Sequence, residues 1–230
     1  MLGTIINSLA IIIGGILGLI LKSRFTKKYQ EIVSQATGIS VLFLGISTAL
    51  NQMFKPDVNS VLFIFSLVIG GLIGQWIDIE ERLKLLGDFI EKRFSNDENT
   101  ISKSFVSSSL LFCVGSMAIL GSIESGISNN HTTLITKSIL DGTCSIVFAS
   151  TMGYGVLFSA VAVFIYQGTI TLLAGIIQPY ITEDTLRELT LVGGILITGI
   201  GINLLEIKKL KVGNLLPSLF IPVIYYIIFK

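Results

Sequence analysis

Two ionisable side chains stand inside an apolar stretch, Lys137 and Asp141 in Thr136-Lys137-Ser138-Ile139-Leu140-Asp141-Gly142-Thr143. Four residues apart, they share one face of a helix and can pair. A charged Asp at the centre of a bilayer costs about 2.5–3.5 kcal/mol on insertion scales, so it must face protein or water, be paired, or carry a proton. Two readings follow: a structural ion pair, or a site where Asp141 binds or exchanges a cation or proton while Lys137 tunes it or holds an anion. The balance tips to the second, because ionisable residues inside spans mark function by default. A neighbouring stretch, Phe112-Cys113-Val114-Gly115-Ser116-Met117-Ala118-Ile119-Leu120-Gly121, adds hydroxyl and glycine positions. Paired as a hairpin through the loop between them, the two stretches place Ser116 and Asp141 at nearly the same depth. Gly115, Gly121 and Gly142 weaken their helices and free backbone groups to face a cavity, as broken helices do in transporters. Close helix packing, which also needs small residues, is the plainer alternative. The candidate solute-binding set is therefore Asp141, Lys137, Ser116, Gly115, Gly121 and Gly142.

Other chemistries find little support. The single histidine, His131, lies in a polar loop, and Cys113 and Cys144 fall in apolar runs that suit small buried packing residues. No metal-ligand spacing, HExxH motif or paired catalytic Asp motif is present, so neither a metal, a cofactor nor an enzyme is expected.

Lys137 and Asp141 have to be positioned by membrane helices. Of the 230 residues 51% are hydrophobic and 13% charged, and mean hydropathy is +0.81. Soluble domains carry about 25% charged residues. The net charge of +1 gives no pull toward nucleic acid. Residues 1–21 hold no Lys or Arg, so a retained first span is expected rather than a cleaved signal peptide. With ~20 apolar residues per span, eight spans are predicted: 4–22, 32–51, 58–77, 104–123, 132–151, 155–178, 186–206 and 212–229. The 132–151 segment, which carries Lys137 and Asp141, has a re-entrant alternative. Basic residues cluster at Lys22–Lys28, Arg82–Lys103 and Lys208–Lys211, which the positive-inside rule puts in the cytoplasm. Eight crossings satisfy every loop and leave both termini outside.

A weak internal repeat agrees with that layout. Gly38-Ile39-Ser40-Val41-Leu42-Phe43-Leu44-Gly45-Ile46 matches Gly194-Ile195-Leu196-Ile197-Thr198-Gly199-Ile200-Gly201-Ile202 without gaps, and the basic loop falls before one copy and after the other. Opposite orientation of two copies is a transporter architecture. The expectation is one all-α membrane domain over residues 1–230. In it 1–77 is the first repeat, 78–94 a cytoplasmic amphipathic helix, 104–151 a central hairpin and 155–229 the second repeat.

Weaker signals concern packing. Gly14/Gly18 and Gly70/Gly74 fit close crossings. Asn7, Gln75 and Gln167 read as polar groups bonded to a neighbouring helix rather than to a solute. Trp76 reads as an interfacial anchor, Pro217 and Pro222 as kinks in the last span, and Gly213-Asn214 as a cap before them.

Several blocks together resemble a known family. They are Gly3-Thr4-Ile5-Ile6-Asn7, the Cys113–Gly126 run, Lys137-Ser138-Ile139-Leu140-Asp141-Gly142, Gly153-Tyr154-Gly155-Val156 and Gly213-Asn214-Leu215-Leu216-Pro217. In order and spacing they look like the bacterial membrane family catalogued as domain of unknown function number 554. The resemblance implies a polytopic inner-membrane protein, loosely labelled a transporter, and brings no substrate or site. The expected function is a secondary transporter of a small solute or ion with a midplane site. A non-transporting structural or signalling partner, or a channel, is the alternative. The lipid bilayer and a small solute or ion are the expected partners, and the glycine faces permit a homo-oligomer.

Overall fold

A computed structural model describes residues 1–24, 26–55, 58–82, 85 and 100–229. Among these the chain is all helical, without strands. The helices are α1 (Leu2–Arg24), α2 (Lys27–Met53), α3 (Ser60–Ile77), α4 (Thr100–Cys113), α5 (Ser116–Ile127), α6 (Thr132–Met152), α7 (Gly155–Leu172), the short α8 (Ala174–Ile177), α9 (Glu183–Leu204) and α10 (Phe220–Phe229). 3-10 turns occupy Gln178–Tyr180 and Val212–Leu219.

Five helical stretches are long and apolar enough to cross a membrane: Leu2–Arg24, Lys28–Met53, Gly155–Leu172, Glu183–Leu204 and Val212–Phe229. Ile101–Cys113 with Met117–Ile127 makes a sixth if that bent pair is one span. With 21 residues, α6 has the length for a span, but its buried charges set it apart from the apolar helices. The outward faces are greasy: Ile13, Phe43, Phe65, Leu72, Ile139, Ile165 and Phe229 are all exposed, a surface that in water would be an aggregation liability.

The chain divides into two compact units, Met1–Thr37 with Leu83–Ile177, and Gly38–Arg82 with Gln178–Lys230. The boundary falls inside α2.

In the first unit, α1 and α6 run side by side in the same direction. Gly3 lies against Leu134, Gly14 against the Gly142 carbonyl, and Gly18 against the Ile146 carbonyl and the Ala149 methyl. A Cβ on Gly14 or Gly18 would collide with α6 backbone, so the Gly14/Gly18 pair does set a close crossing. The parallel run from Gly3 to Gly18 covers about 22 Å at 1.5 Å per residue. The opposite direction is taken by α7: Gly15 meets Leu157, and Asn7 bonds Gln167. Gly155, at the start of α7, abuts Ile101 and Ser104 of α4, while Gly126 of α5 abuts Thr171. The α4–α5 segment and α7 therefore share a direction.

The α4–α5 segment, expected as a span over 104–123 with Gly115 weakening its helix, is interrupted. It breaks at Val114–Gly115 and bends by 61°. Gly115 takes φ 144°, ψ 148°, a conformation open essentially to glycine alone. Thr100 starts the first half, so the chain enters this helix earlier than the apolar run suggested.

In the second unit α2 and α9 cross antiparallel. Gly38 lies against Leu205, Leu42 against Gly201, Gly45 against Thr198, and Ala49 against Gly194. The N-terminus of α9 is capped by Thr182, whose side chain accepts the Thr185 amide, with Glu183 and Asp184 in its first turn to suit the helix dipole. Gly70 and Gly74 seat α3 on Ser218 and Asn214, so this small-residue pair also marks a close crossing. A left-handed Asp78 (φ 54°) terminates α3. The expected amphipathic helix at 78–94 lies mostly outside the described residues; Ile79–Arg82 and Leu85 are helical.

The last span departs from a kinked α-helix. Pro217 and Pro222 each remove an amide donor and crowd the preceding turn, and the stretch before α10 winds as 3-10 helix over Val212–Leu219. Gly213 and Asn214 lie inside that helix instead of capping it. The Gly213 amide donates to Glu80 (3.0 Å), and the Asn214 side chain accepts from the Glu80 amide (2.7 Å) while donating to Gln75 (3.0 Å).

Candidate functional site

The first unit holds a polar centre surrounded by apolar helix. Lys137 Nζ donates to Asp141 Oδ2 at 2.5 Å across one turn of α6. Asn7 of α1 donates to the same Asp141 oxygen at 3.0 Å, and also to Gln167 Oε1 of α7 at 3.3 Å. Two helices thus donate to one carboxylate oxygen, and Asn7 links a third, α7, to it through Gln167. Asn7 and Gln167 have no exposed surface, whereas the Lys137 and Asp141 side chains keep 8% and 9% of theirs. A buried pair of this kind stands only when hydrogen bonds support it, and Asn7 supplies one.

Local sequence explains the convergence. Thr4, Asn7 and Ser8 follow the one-turn rhythm of a single α1 face, as do Lys137 and Asp141 on α6 and Gln167 and Thr171 on α7. Because α1 and α7 are antiparallel, Thr4 and Thr171, each one turn beyond the Asn7–Gln167 bond, fall at one level. Ser138 and Ser145 spend their hydroxyls on the Leu134 and Asp141 carbonyls within α6, as serine does in apolar helices.

Much of the polar capacity here is unmatched. Thr4 Oγ1, Asn7 Oδ1, Ser8 Oγ, Gln167 Nε2 and Thr171 Oγ1 are all buried without a hydrogen-bond partner. Buried polar atoms are normally satisfied by protein or ordered water. Five orphans on two adjoining helices, beside an ion pair, form a set of one amide donor, one amide acceptor and three hydroxyls open to a bound molecule. Among the described residues no group of three or more His, Cys, Asp or Glu could hold a metal ion.

The six residues singled out from sequence fare unequally. Lys137 and Asp141 form the centre. Gly142 packs on Ala10 of α1, and Gly121 packs on Leu134 and Thr133 of α6. These two glycines serve close approach of helices. Gly115 is the reverse: nothing lies within 4 Å of where its Cβ would be. The α5–α6 register, with Gly121 against Leu134, runs back by seven residues to set Val114 opposite Asp141. The helix break and the carboxylate therefore share a level. Ser116 opens α5, and its side chain is outside the described set. Asn7 and Gln167 were read as helix-to-helix bonds. They do bond neighbouring helices, yet the partners of Asn7 include Asp141 itself, which a lone amide in an Ile-rich span does not announce.

Comparison with known proteins places the chain in a family. A Bacillus subtilis (strain 168) protein named uncharacterized membrane protein YdfK is 43% identical over 223 residues, covering 96% of this chain and 94% of that one. An Escherichia coli (strain K12) protein named uncharacterized protein YqgA is 26% identical over 225 residues, with coverage of 96% and 94%. No solved structure matches the chain. Residues 2–227 match the family described as protein of unknown function (DUF554). The chain is an integral membrane protein and belongs to that family.

Proposed function

We propose that the protein is a secondary transporter of a small solute or ion, with its binding site at the Lys137–Asp141–Asn7–Gln167 centre. The observation that carries this reading is the set of five unpartnered buried polar atoms beside a buried ion pair. A polar network that serves structure alone gains most when every member is satisfied. The Gly115 break at the level of Asp141 adds support, since interrupted helices line substrate sites in transporters.

The reading includes eight spans in the plasma membrane, both termini outside, and an inverted repeat of spans 1–3 and 6–8. The long parallel run of α1 and α6 favours a full crossing by 132–152 over a re-entrant loop. The α2–α9 contacts favour the repeat. Shifting one copy by 156 residues turns Leu42–Gly201 into Thr198–Gly45 and Gly38–Leu205 into Gly194–Ala49, and all four contacts are present. A two-fold axis requires that exchange of partners.

The tight seating of Gly121 and Gly142 favours a second reading, a packed membrane partner without transport. Solute or proton flux in proteoliposomes separates the two. Flux that Asp141→Asn abolishes is the expected result; flux unchanged by Asp141→Asn removes the carboxylate from the mechanism, and absence of any flux favours the packed partner. Tags on both ends reachable from outside intact cells are expected from the topology.

A further inference from the structure

Resting on the transport reading, we infer that the site takes a small zwitterion: a net-neutral solute whose carboxylate meets Lys137 and whose ammonium meets Asp141. The charges dictate the class. Lys137 and Asp141 neutralise one another at 2.5 Å, and the only bond the Lys137 ammonium makes among the described residues is to Asp141. A cation captured by Asp141 strands the ammonium in a buried setting, and an anion captured by Lys137 strands the carboxylate. Stranding either partner of a buried pair is strongly unfavourable. A ligand bearing both signs replaces one ion pair with two and strands neither.

The orphans point the same way. Gln167 Nε2 is a free donor for a carboxylate oxygen, and Asn7 Oδ1 a free acceptor for an ammonium. Thr4, Ser8 and Thr171 add hydroxyls that serve either end. A neutral polyol would use these atoms but leave the pair closed and its spare hydrogen-bonding capacity idle. The ligand is small because Leu134, fully buried between Gly3 and Gly121, closes the centre on the Thr132 side with an apolar side chain.

The test uses the purified full-length chain, titrated with glycine, L-alanine and L-serine, and in parallel with methylammonium, acetate and glycerol. Thermal melting reads binding and proteoliposome uptake reads transport. The zwitterions raise the melting temperature and enter the liposomes, while methylammonium and acetate do neither. Asp141→Asn and Lys137→Met each weaken zwitterion binding by about tenfold or more, the equivalent of ~1.4 kcal/mol. The paired change Lys137→Met/Asp141→Leu removes both charges together, keeps a monodisperse elution profile and binds no zwitterion. Failure of all three zwitterions, or unchanged binding in that paired variant, overturns the inference. If methylammonium, acetate or glycerol is then bound and moved instead, the transport reading survives and only the ligand class falls. If no probe is bound or moved, both fall. Zwitterions bound but never moved uphold the ligand and sink the transport.

Discussion

The two units of this protein place their long-range polar side chains differently. In the second unit they meet backbone at helix ends. Glu188 accepts the Asn59 amide (2.8 Å), Asn59 caps the first turn of α3, and Asn203 both donates to and accepts from Leu210 (2.8 and 2.7 Å). Asn214 ties Glu80 and Gln75 together. Such contacts satisfy groups that helix ends leave open. In the first unit the polar side chains meet one another in mid-helix and leave five atoms unmatched around one ion pair, whereas in the second unit Glu188 keeps one carboxylate oxygen bonded to the Asn59 amide and the other, Oε2, unmatched. The clustering of five such atoms is what the proposed binding role rests on, because orphaned buried polar groups cost stability and persist where something else retains them.

The largest effect is expected where the contrast is sharpest. Lys137→Met leaves Asp141 buried with Asn7 as its donor, and loss of one partner from a buried pair destabilises by about 3–5 kcal/mol. Adding Asp141→Leu to it should restore most of the lost melting temperature in detergent. If the single change costs nothing, the pair is solvated and the comparison fails.

Next come the glycines of the second unit. Gly45→Val pushes a side chain into the Thr198 backbone, and Gly201→Val into Leu42. Overpacking of this kind costs about 1–3 kcal/mol. The two substitutions should lower the melting temperature by similar amounts, because each glycine meets the equivalent residue of the other copy. A large inequality would break the two-fold reading.

A matched pair of substitutions then separates structure from binding. Asn214→Ala leaves the Glu80 amide without its acceptor and Gln75 with Lys211 alone (3.4 Å), a loss of about 1–3 kcal/mol, and should leave flux per folded molecule unchanged. Gln167→Leu removes one long bond and one orphaned donor. Stability should stay within about 1 kcal/mol of the wild type while flux is lost. Melting curves and proteoliposome uptake on the same preparations check both, and the reverse outcome would exchange the roles of the two units.

How far the sequence could be read follows from the range of the interactions. Lys137 and Asp141 were legible because a four-residue spacing is local, and Gly14/Gly18 and Gly70/Gly74 because close crossings leave a periodic trace. Asn7 and Gln167 were not legible as site residues, since their partners lie 134 and 160 residues away in sequence. A single amide in an apolar span says only that it needs some partner. Gly115 was singled out, but the 61° bend follows from which helices pack on either side of it. Pro217 and Pro222 signalled a disturbance, and its extent, two turns and more of 3-10 helix, depended on the Gly213–Asn214 bonds to Glu80 and Gln75. The division inside α2 was not legible as a boundary, because Thr37–Gly38 lies in an unbroken helix and the shift there from polar Lys27–Thr37 to apolar Gly38–Leu50 reads as the entry of a span.

The smallest expected change in stability lies on the outer surface of the second unit, and it carries the most information about the bilayer. Trp76 is the chain's only tryptophan and is 87% exposed near the C-terminal end of α3. Trp76→Leu should leave the melting temperature within about 0.5 kcal/mol of wild-type stability, as surface substitutions do. Excited beyond the absorption of the six tyrosines, the wild-type fluorescence comes from this one indole and reports one depth. Tryptophan favours the membrane–water boundary, so brominated lipids labelled near the headgroup should quench it better than those labelled at the acyl terminus. An aqueous quencher confined to the cytoplasmic face should reach it, and one confined to the outer face should not. Quenching from the outer face alone would invert α3, and with it the direction assigned to every helix packed antiparallel to it.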